Sequence, residues 1–172
     1  GAKGRQLHKF GGSSLADVKC YLRVAGIMTE YSQPGDMMVV SAAGSTTNQL
    51  ISWLKLSQTD RLSAHQVQQA LRRYQSELIS GLLPPDIADG LIGAFIHDLE
   101  RLAGLLDSGV NDAVYAEVVG HGEVWSARLM SAVLNQQGLE SAWLDARDFL
   151  RAERGAQPQV DEGLSYPLLQ QL

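Results

Sequence analysis

The chain has 172 residues, of which 45% are hydrophobic and 19% are charged, a balance typical of a globular domain rather than of a disordered segment. Its net charge of -5 and the lack of a basic stripe argue against nucleic acid as a partner. Cys20 is the only cysteine, which excludes an internal disulfide, and no apolar run approaches the ~20 residues of a membrane span. Since no signal-peptide core is visible either, we expect a cytoplasmic protein that does not bind membranes.

Residues 7–42 read as a βαβ unit. A short strand is predicted over Leu7 to Phe10 and ends at Gly11-Gly12, which predicts a tight turn. Ser13 and Ser14 are candidates to cap the next helix. That helix is predicted from apolar residues at helical spacing, namely Leu15, Val18, Tyr21, Leu22, Ala25 and Met28. A continuous apolar run over residues 37–42 then predicts a buried parallel strand.

The remaining residues predict a helical lobe inserted between strands. Helices are expected over residues 47–56, 64–83, 87–106 and 111–135, with Gly138 as the C-cap of the last one. Further segments are a strand over residues 142–144, a strand or loop from 158 to 161, and an amphipathic helix from Tyr166 to Leu172. We therefore predict an α/β fold, part of a three-layer α/β/α sandwich with a mostly parallel sheet. Because the last helix has hardly begun at Leu172, we interpret the chain as a fragment of a longer protein.

The segment Lys9-Phe10-Gly11-Gly12-Ser13-Ser14 predicts a phosphate site at the end of the first strand. Two glycines let the backbone approach a bulky anion and present N–H groups to it. The N-terminus of the following helix and the Lys9 ammonium add positive charge. The alternative is an ordinary Gly-Gly turn beside a surface lysine, and the short motif alone does not decide between the two.

The segment after the second strand, Ser41-Ala42-Ala43-Gly44-Ser45-Thr46-Thr47-Asn48, predicts a second set of ligand contacts. Ligands of open α/β sheets bind at the carboxyl ends of the strands, where Ser41 is expected. The alternative is plain N-capping by these short polar side chains. Two such segments at one sheet edge favour the site.

Glu123 follows two glycines that interrupt a long helical pattern, in Gly120-His121-Gly122-Glu123. A carboxylate there could pair with the ammonium group of a ligand. Taken by spacing alone, an acid stabilised by a helix dipole is the simpler interpretation. The role of His121 stays undecided, as does that of Asp145, and no metal site is predicted.

Four motifs in order carry a resemblance to a known family. They are K-F-G-G-S-S, then V-V-S-A followed by T-T-N-Q-L, then H-G-E-x-x-S-A-x-L, and finally W-L-D-A-R. Their order and separations along nearly the whole chain resemble the aspartate kinases of the amino-acid kinase family. The residues of these motifs are most similar to those of members that are fused to a homoserine dehydrogenase.

This resemblance implies transfer of the γ-phosphoryl group of ATP to the β-carboxylate of L-aspartate, with Mg²⁺ carried on the phosphates. It implies seven site residues: Lys9, Gly11, Gly12 and Ser13 for the nucleotide phosphates, with Lys9 catalytic, and Ser41, Thr47 and Glu123 for the amino acid. It further implies a homo-oligomer, and NADP for a dehydrogenase domain outside the chain. The α-carboxylate arginine and the adenine-binding residues of the family have no counterpart before Leu172, so the fragment alone is expected to be inactive.

Two other functions remain open from the sequence. A kinase of the same family acting on glutamate or on a nucleotide would share Lys9-Phe10-Gly11-Gly12 but would not need the Gly122-Glu123 pair. A helix-rich interaction module would use Gly11-Gly12 only as a turn.

Overall fold

The computed structural model of the protein describes residues 4–144 and 168–171. One sheet contains β1 (Leu7–Phe10), β2 (Met37–Val40), β3 (Ser141–Leu144) and β4 (Leu168–Gln171). The helices are α1 (Val18–Tyr31), α2 (Thr46–Ser57), α3 (Arg61–Leu82), α4 (Pro85–Asp107) and α5 (Asp112–Gln136), and a 3-10 turn covers Gly12–Leu15. Among the helices described, none has the length and apolar character needed to cross a bilayer.

The sheet has the order β1-β2-β4-β3. β1 pairs in parallel with β2, with Leu7 opposite Met37 and Phe10 opposite Val40. β4 runs antiparallel to both β2 and β3, so β1, β2 and β3 share one direction. The predicted βαβ unit is therefore confirmed, and α2 to α5 form the predicted helical insertion between β2 and β3.

The prediction of a helix from Tyr166 to Leu172 is wrong where the structure describes this segment. Leu168–Gln171 is a strand that lies between β2 and β3. A short run with adjacent leucines fits a helical stripe and a buried strand equally well, and here the unpaired backbone groups of two neighbouring strands favour the strand. The strand or loop predicted over residues 158–161 lies outside the described residues, as does Asp145.

The start of α1 also differs from the prediction. Ser13 and Ser14 lie in the 3-10 turn rather than at a helix cap, and α1 begins only at Val18. Its N-cap is Asp17, whose carboxylate accepts a hydrogen bond of 2.8 Å from the Cys20 N–H. An aspartate is as good an N-cap as a serine, and a cap four residues later lengthens the loop after β1.

The helix α5 lies at the centre of the packing. It contacts α1, α2, α4 and the sheet. Its Ser126 hydroxyl is 2.7 Å from the hydroxyl of Tyr21 on α1, and its Trp125 ring meets that of Phe95 on α4 edge to face at 4.7 Å. The helix ends at Gln136 with Gln137 as its C-cap, one residue before the cap predicted at Gly138. Gly138 follows with φ +85°, and the Leu139 N–H donates to the Leu134 carbonyl, so this glycine terminates the helix as expected.

The turn before β2 contains a buried carboxylate, Asp36. It accepts hydrogen bonds from His8 Nε2 (2.9 Å) and from the backbone N–H groups of Gln33 (2.9 Å) and Gln6 (3.0 Å). The His8 hydrogen bond, followed by the two backbone bonds, lowers the pKa of Asp36 to about 2. Asp36 thereby joins β1 to the turn that precedes β2.

A lowered carboxyl pKa stabilises the fold above the pKa of the unfolded chain, and this stabilisation is lost as the pH falls toward 2. We expect Asp36→Asn to lower the free energy of unfolding at pH 7 and to flatten its decline between pH 4 and 2. Urea unfolding followed by circular dichroism at several pH values measures both effects. Asp89→Asn is the control because Asp89 is exposed and forms no ion pair with another described residue. An equal acid slope in wild type and Asp36→Asn would contradict the assignment.

Candidate functional site

The loop after β1, residues 11–17, is here called the first loop. Gly11 follows Phe10 in an extended conformation, and Gly12 opens the 3-10 turn. A Cβ atom placed on Gly12 would lie 3.1 Å from both the Ala42 and the Gly44 carbonyl oxygens. Glycine is therefore favoured at position 12, because any side chain there would require a small shift of the backbone after β2.

The loop after β2, residues 41–45, is here called the second loop. Its backbone is bonded to the end of β1 and to the first loop. The Ser41 N–H donates to the Phe10 carbonyl (3.0 Å), and the Gly44 N–H donates to the Gly12 carbonyl (3.1 Å). Gly44 has φ +50°, a conformation that favours glycine. The two loops thus form one continuous surface at the carboxyl ends of two parallel strands, the usual ligand-binding edge of an α/β sheet.

An open depression of about 260 Å³ lies at this edge and is lined by Lys9, Phe10, Gly11, Val39 and Ser41. Lys9 pairs with Val39 across the two strands, which places their side chains on the same face of the sheet. The Lys9 side chain is exposed and has no ion pair with another described residue. A cation, a glycine backbone and a hydroxyl therefore converge on a space large enough for a phosphate group.

The other predicted site residues do not line this depression. Gly12 opens the 3-10 turn and packs against the second loop, and Ser13 is exposed on the same turn. Thr47 is exposed in the first turn of α2. The structure therefore brings Lys9, Gly11 and Ser41 together directly.

Glu123 does not line the depression, but the residue before it, Gly122, packs on the second loop. A Cβ atom on Gly122 would lie 2.8 Å from the Ala42 Cβ and 3.2 Å from the Thr46 Cγ2, so α5 packs directly on this loop and on the start of α2. Glu123, the next residue, is partly buried and forms no ion pair or hydrogen bond that involves another described residue. Its burial raises its pKa to about 7. A desolvated carboxyl without a partner favours an incoming cationic group.

His121 has a structural role. Its ring is buried, and its Nδ1 lies 2.7 Å from the Glu117 carbonyl oxygen, which can only accept, so Nδ1 carries the proton. Its Nε2 then accepts from the Arg101 guanidinium at 2.8 Å. Within residues 4–144 and 168–171, no three His, Cys, Asp or Glu side chains are grouped so as to hold a metal ion.

The sequence profile of the amino acid kinase family matches residues 4–172. This chain belongs to the amino acid kinase family. The resemblance drawn from the motifs is thereby confirmed.

Curated relatives of this amino acid kinase chain are considerably longer than it is. The chain is 89% identical over 172 residues to the Escherichia coli (strain K12) bifunctional aspartokinase/homoserine dehydrogenase 2, and the match covers 100% of the chain but 21% of that protein. It is 27% identical to the lysine-sensitive aspartokinase 3 of the same organism, over 83% of the chain and 31% of the relative. The chain thus spans about a fifth to a third of the length of these relatives.

A solved structure of Escherichia coli aspartokinase III in complex with aspartate and ADP superposes on this amino acid kinase chain with a TM-score of 0.68. The identity is 24%, and the match covers 79% of this chain and 30% of that one. The similarity confirms the predicted fold.

Two residues next to the site were not predicted from the sequence of this amino acid kinase chain. Tyr74 and Gln75 lie in the middle of α3. The Tyr74 hydroxyl is bonded to the Ala16 carbonyl of the first loop and packs against Gly44 of the second loop, and Gln75 is bonded to the Thr46 hydroxyl at the start of α2. In the sequence they belong to an ordinary amphipathic helix. Only the packing of α3 against α1 and α2 brings them to the site.

Proposed function

We propose that this chain is the N-terminal part of an aspartate kinase catalytic domain. In this proposal the complete enzyme transfers the γ-phosphoryl group of ATP to the β-carboxylate of L-aspartate and forms 4-phospho-L-aspartate. One observation carries the proposal: Lys9, Gly11 and Ser41 meet around a depression at the carboxyl ends of β1 and β2. The aspartokinase relatives supply the substrate class.

Each site residue has a defined role in the proposed reaction. Phosphoryl transfer needs little covalent help, so catalysis depends on positioning and on charge stabilisation. The Lys9 ammonium would balance charge on the transferring phosphoryl group, and the backbone N–H groups of the first loop would hold the phosphates. For the second substrate, Glu123 would bind the α-ammonium group of L-aspartate, and the hydroxyl groups of Ser41 and Thr47 would contact the same molecule.

Mg²⁺ would come with the nucleotide in this proposal. The described residues offer no carboxylate or imidazole cage of their own. Mg²⁺ commonly keeps several waters and binds through substrate phosphates, where it neutralises their charge. In the same proposal NADP would serve only a dehydrogenase domain outside this chain, and a homo-oligomer remains a prediction.

The experiment is a coupled assay for ADP release on the full-length protein, with L-aspartate as the acceptor. We expect L-aspartate-dependent turnover, and we expect Lys9→Ala to lower kcat/KM for ATP about tenfold because one charged contact is lost. Lys55→Ala is the control, since Lys55 is exposed at the far end of α2.

The same assay distinguishes the alternatives. Turnover with L-glutamate or a nucleoside monophosphate, but not with L-aspartate, would favour another kinase of the family. No turnover with any acceptor would favour an interaction module.

The 172-residue chain by itself is expected to be inactive, because a partial site cannot hold both substrates in line.

A further inference from the structure

The helix α3 lies outside the sheet, yet two adjacent residues on it contact the elements that form the candidate site. The Tyr74 hydroxyl donates a hydrogen bond of 2.5 Å to the carbonyl of Ala16 in the first loop. The same hydroxyl faces Gly44 in the second loop, where a Cβ atom would lie only 2.8 Å from it. One hydroxyl is therefore bonded to the first loop and packs closely against the second loop.

Gln75 makes the second contact. It is 2% exposed, and its side-chain Nε2 donates to the Thr46 hydroxyl at 3.0 Å. Thr46 is fully buried and is the first residue of α2, immediately before Thr47. Such a buried polar contact has a strongly preferred geometry, because a displaced amide or hydroxyl would be left without a partner.

We propose that Tyr74 and Gln75 are positioning residues that hold the first loop, the second loop and the start of α2 in register. The proposed assignment rests on the proposed function, since the nucleotide phosphates would bind one loop and the amino acid the other. The distance between the two substrates then depends on the distance between the loops. A small error in that distance lowers the rate of phosphoryl transfer more than it lowers the affinity for either substrate.

The direct test uses Tyr74→Phe, which removes only the hydroxyl. The measurement is amide hydrogen exchange, followed by NMR, on the whole 172-residue chain. It reports on the Gly44 N–H, which donates to the Gly12 carbonyl. We expect its exchange to become about tenfold faster, the effect of one hydrogen bond of average strength. The Ser41 N–H, bonded to Phe10 at the strand end, is expected to keep its protection. Equal exchange at Gly44 in both proteins, or an equal loss of protection throughout the chain, would overturn the proposal.

The kinetic test uses the full-length protein. Tyr74→Phe and Gln75→Leu are each expected to lower kcat about tenfold, while both KM values change less than about threefold. Tyr115→Phe is the matched control, because Tyr115 is exposed in the first turn of α5, seven residues before the Gly122 that packs on the second loop. A change confined to KM, or no change in kcat, would overturn the positioning role.

The two proposals fail in different ways. If the unsubstituted full-length protein shows no L-aspartate-dependent turnover, the proposed function is wrong. The exchange rate of the Gly44 N–H still decides whether Tyr74 holds the two loops together.

Discussion

Glu123→Gln is expected to raise the KM for L-aspartate about 30- to 150-fold in the full-length protein, while the KM for ATP stays nearly unchanged. The substitution keeps the shape of the side chain and removes the charge that would bind an α-ammonium group. A charge-assisted contact of this kind contributes on the order of 2–3 kcal/mol. Steady-state kinetics with each substrate varied in turn measure the KM for L-aspartate and the KM for ATP separately.

Glu100→Gln is the matched control for this prediction. Glu100 is exposed on α4 and has no ion pair with another described residue. An increase in the KM for ATP rather than for L-aspartate would show that Glu123 is assigned to the wrong substrate.

Glu123→Gln is expected to weaken substrate binding but to stabilise the folded protein at alkaline pH. Burial raises the pKa of Glu123 to about 7, above its ordinary value of 4.5. A raised carboxyl pKa stabilises the fold fully below the unfolded pKa, and this contribution is lost as the pH rises through about 7. Allowing for the partial exposure of the side chain, we expect Glu123→Gln to be more stable than wild type by about 1–2 kcal/mol at pH 8. No difference is expected at pH 4, and urea unfolding at both pH values measures this.

Gly122→Ala and Gly120→Ala are expected to change the stability in opposite directions. Both glycines lie inside α5, where alanine is favoured over glycine by about 1 kcal/mol. A Cβ atom on Gly120 meets open space, so Gly120→Ala should stabilise the protein by about 0.5–1 kcal/mol. On Gly122 it would lie 2.8 Å from the Ala42 Cβ and 3.4 Å from the Leu50 Cδ1.

The Ala42 Cβ cannot rotate away, so the extra methyl group must displace the second loop or α5. Overpacking of this kind costs about 1–3 kcal/mol, which outweighs the gain in helix propensity. We expect Gly122→Ala to lower the free energy of unfolding by about 1–2 kcal/mol and to lower kcat, because Ala42 adjoins Ser41. Urea denaturation and the kinetic assay measure the two effects. A Gly122→Ala protein as stable as Gly120→Ala would show that α5 does not pack tightly on the loop.

The sequence predicted the parts of the fold that depend on local pattern. The apolar runs that became β1 and β2, the four long helices and the glycine after α5 all follow from periodicity and capping. The sequence also predicted that Lys9 and Ser41 lie close together, because both are at the carboxyl ends of neighbouring parallel strands.

Other features depend on contacts between distant residues and could not be predicted. Leu168–Gln171 became a strand because two strands offered it unpaired backbone groups. Tyr74 and Gln75 lie next to the site only because α3 packs against α1 and α2. Asp17 took the cap position predicted for Ser13 and Ser14, since aspartate and serine both cap a helix well.

The central place of β4 in the sheet has a consequence for biosynthesis. β1, α1 and β2 are neighbours in the sequence and can associate soon after they leave the ribosome. β3 has no described partner other than β4, which is made later. During translation, β2 and β3 therefore present unpaired edges until Leu168–Gln171 emerges, and such edges readily pair with other chains. Nascent chains of this protein should accordingly need chaperone protection most in the interval between the synthesis of β3 and that of β4.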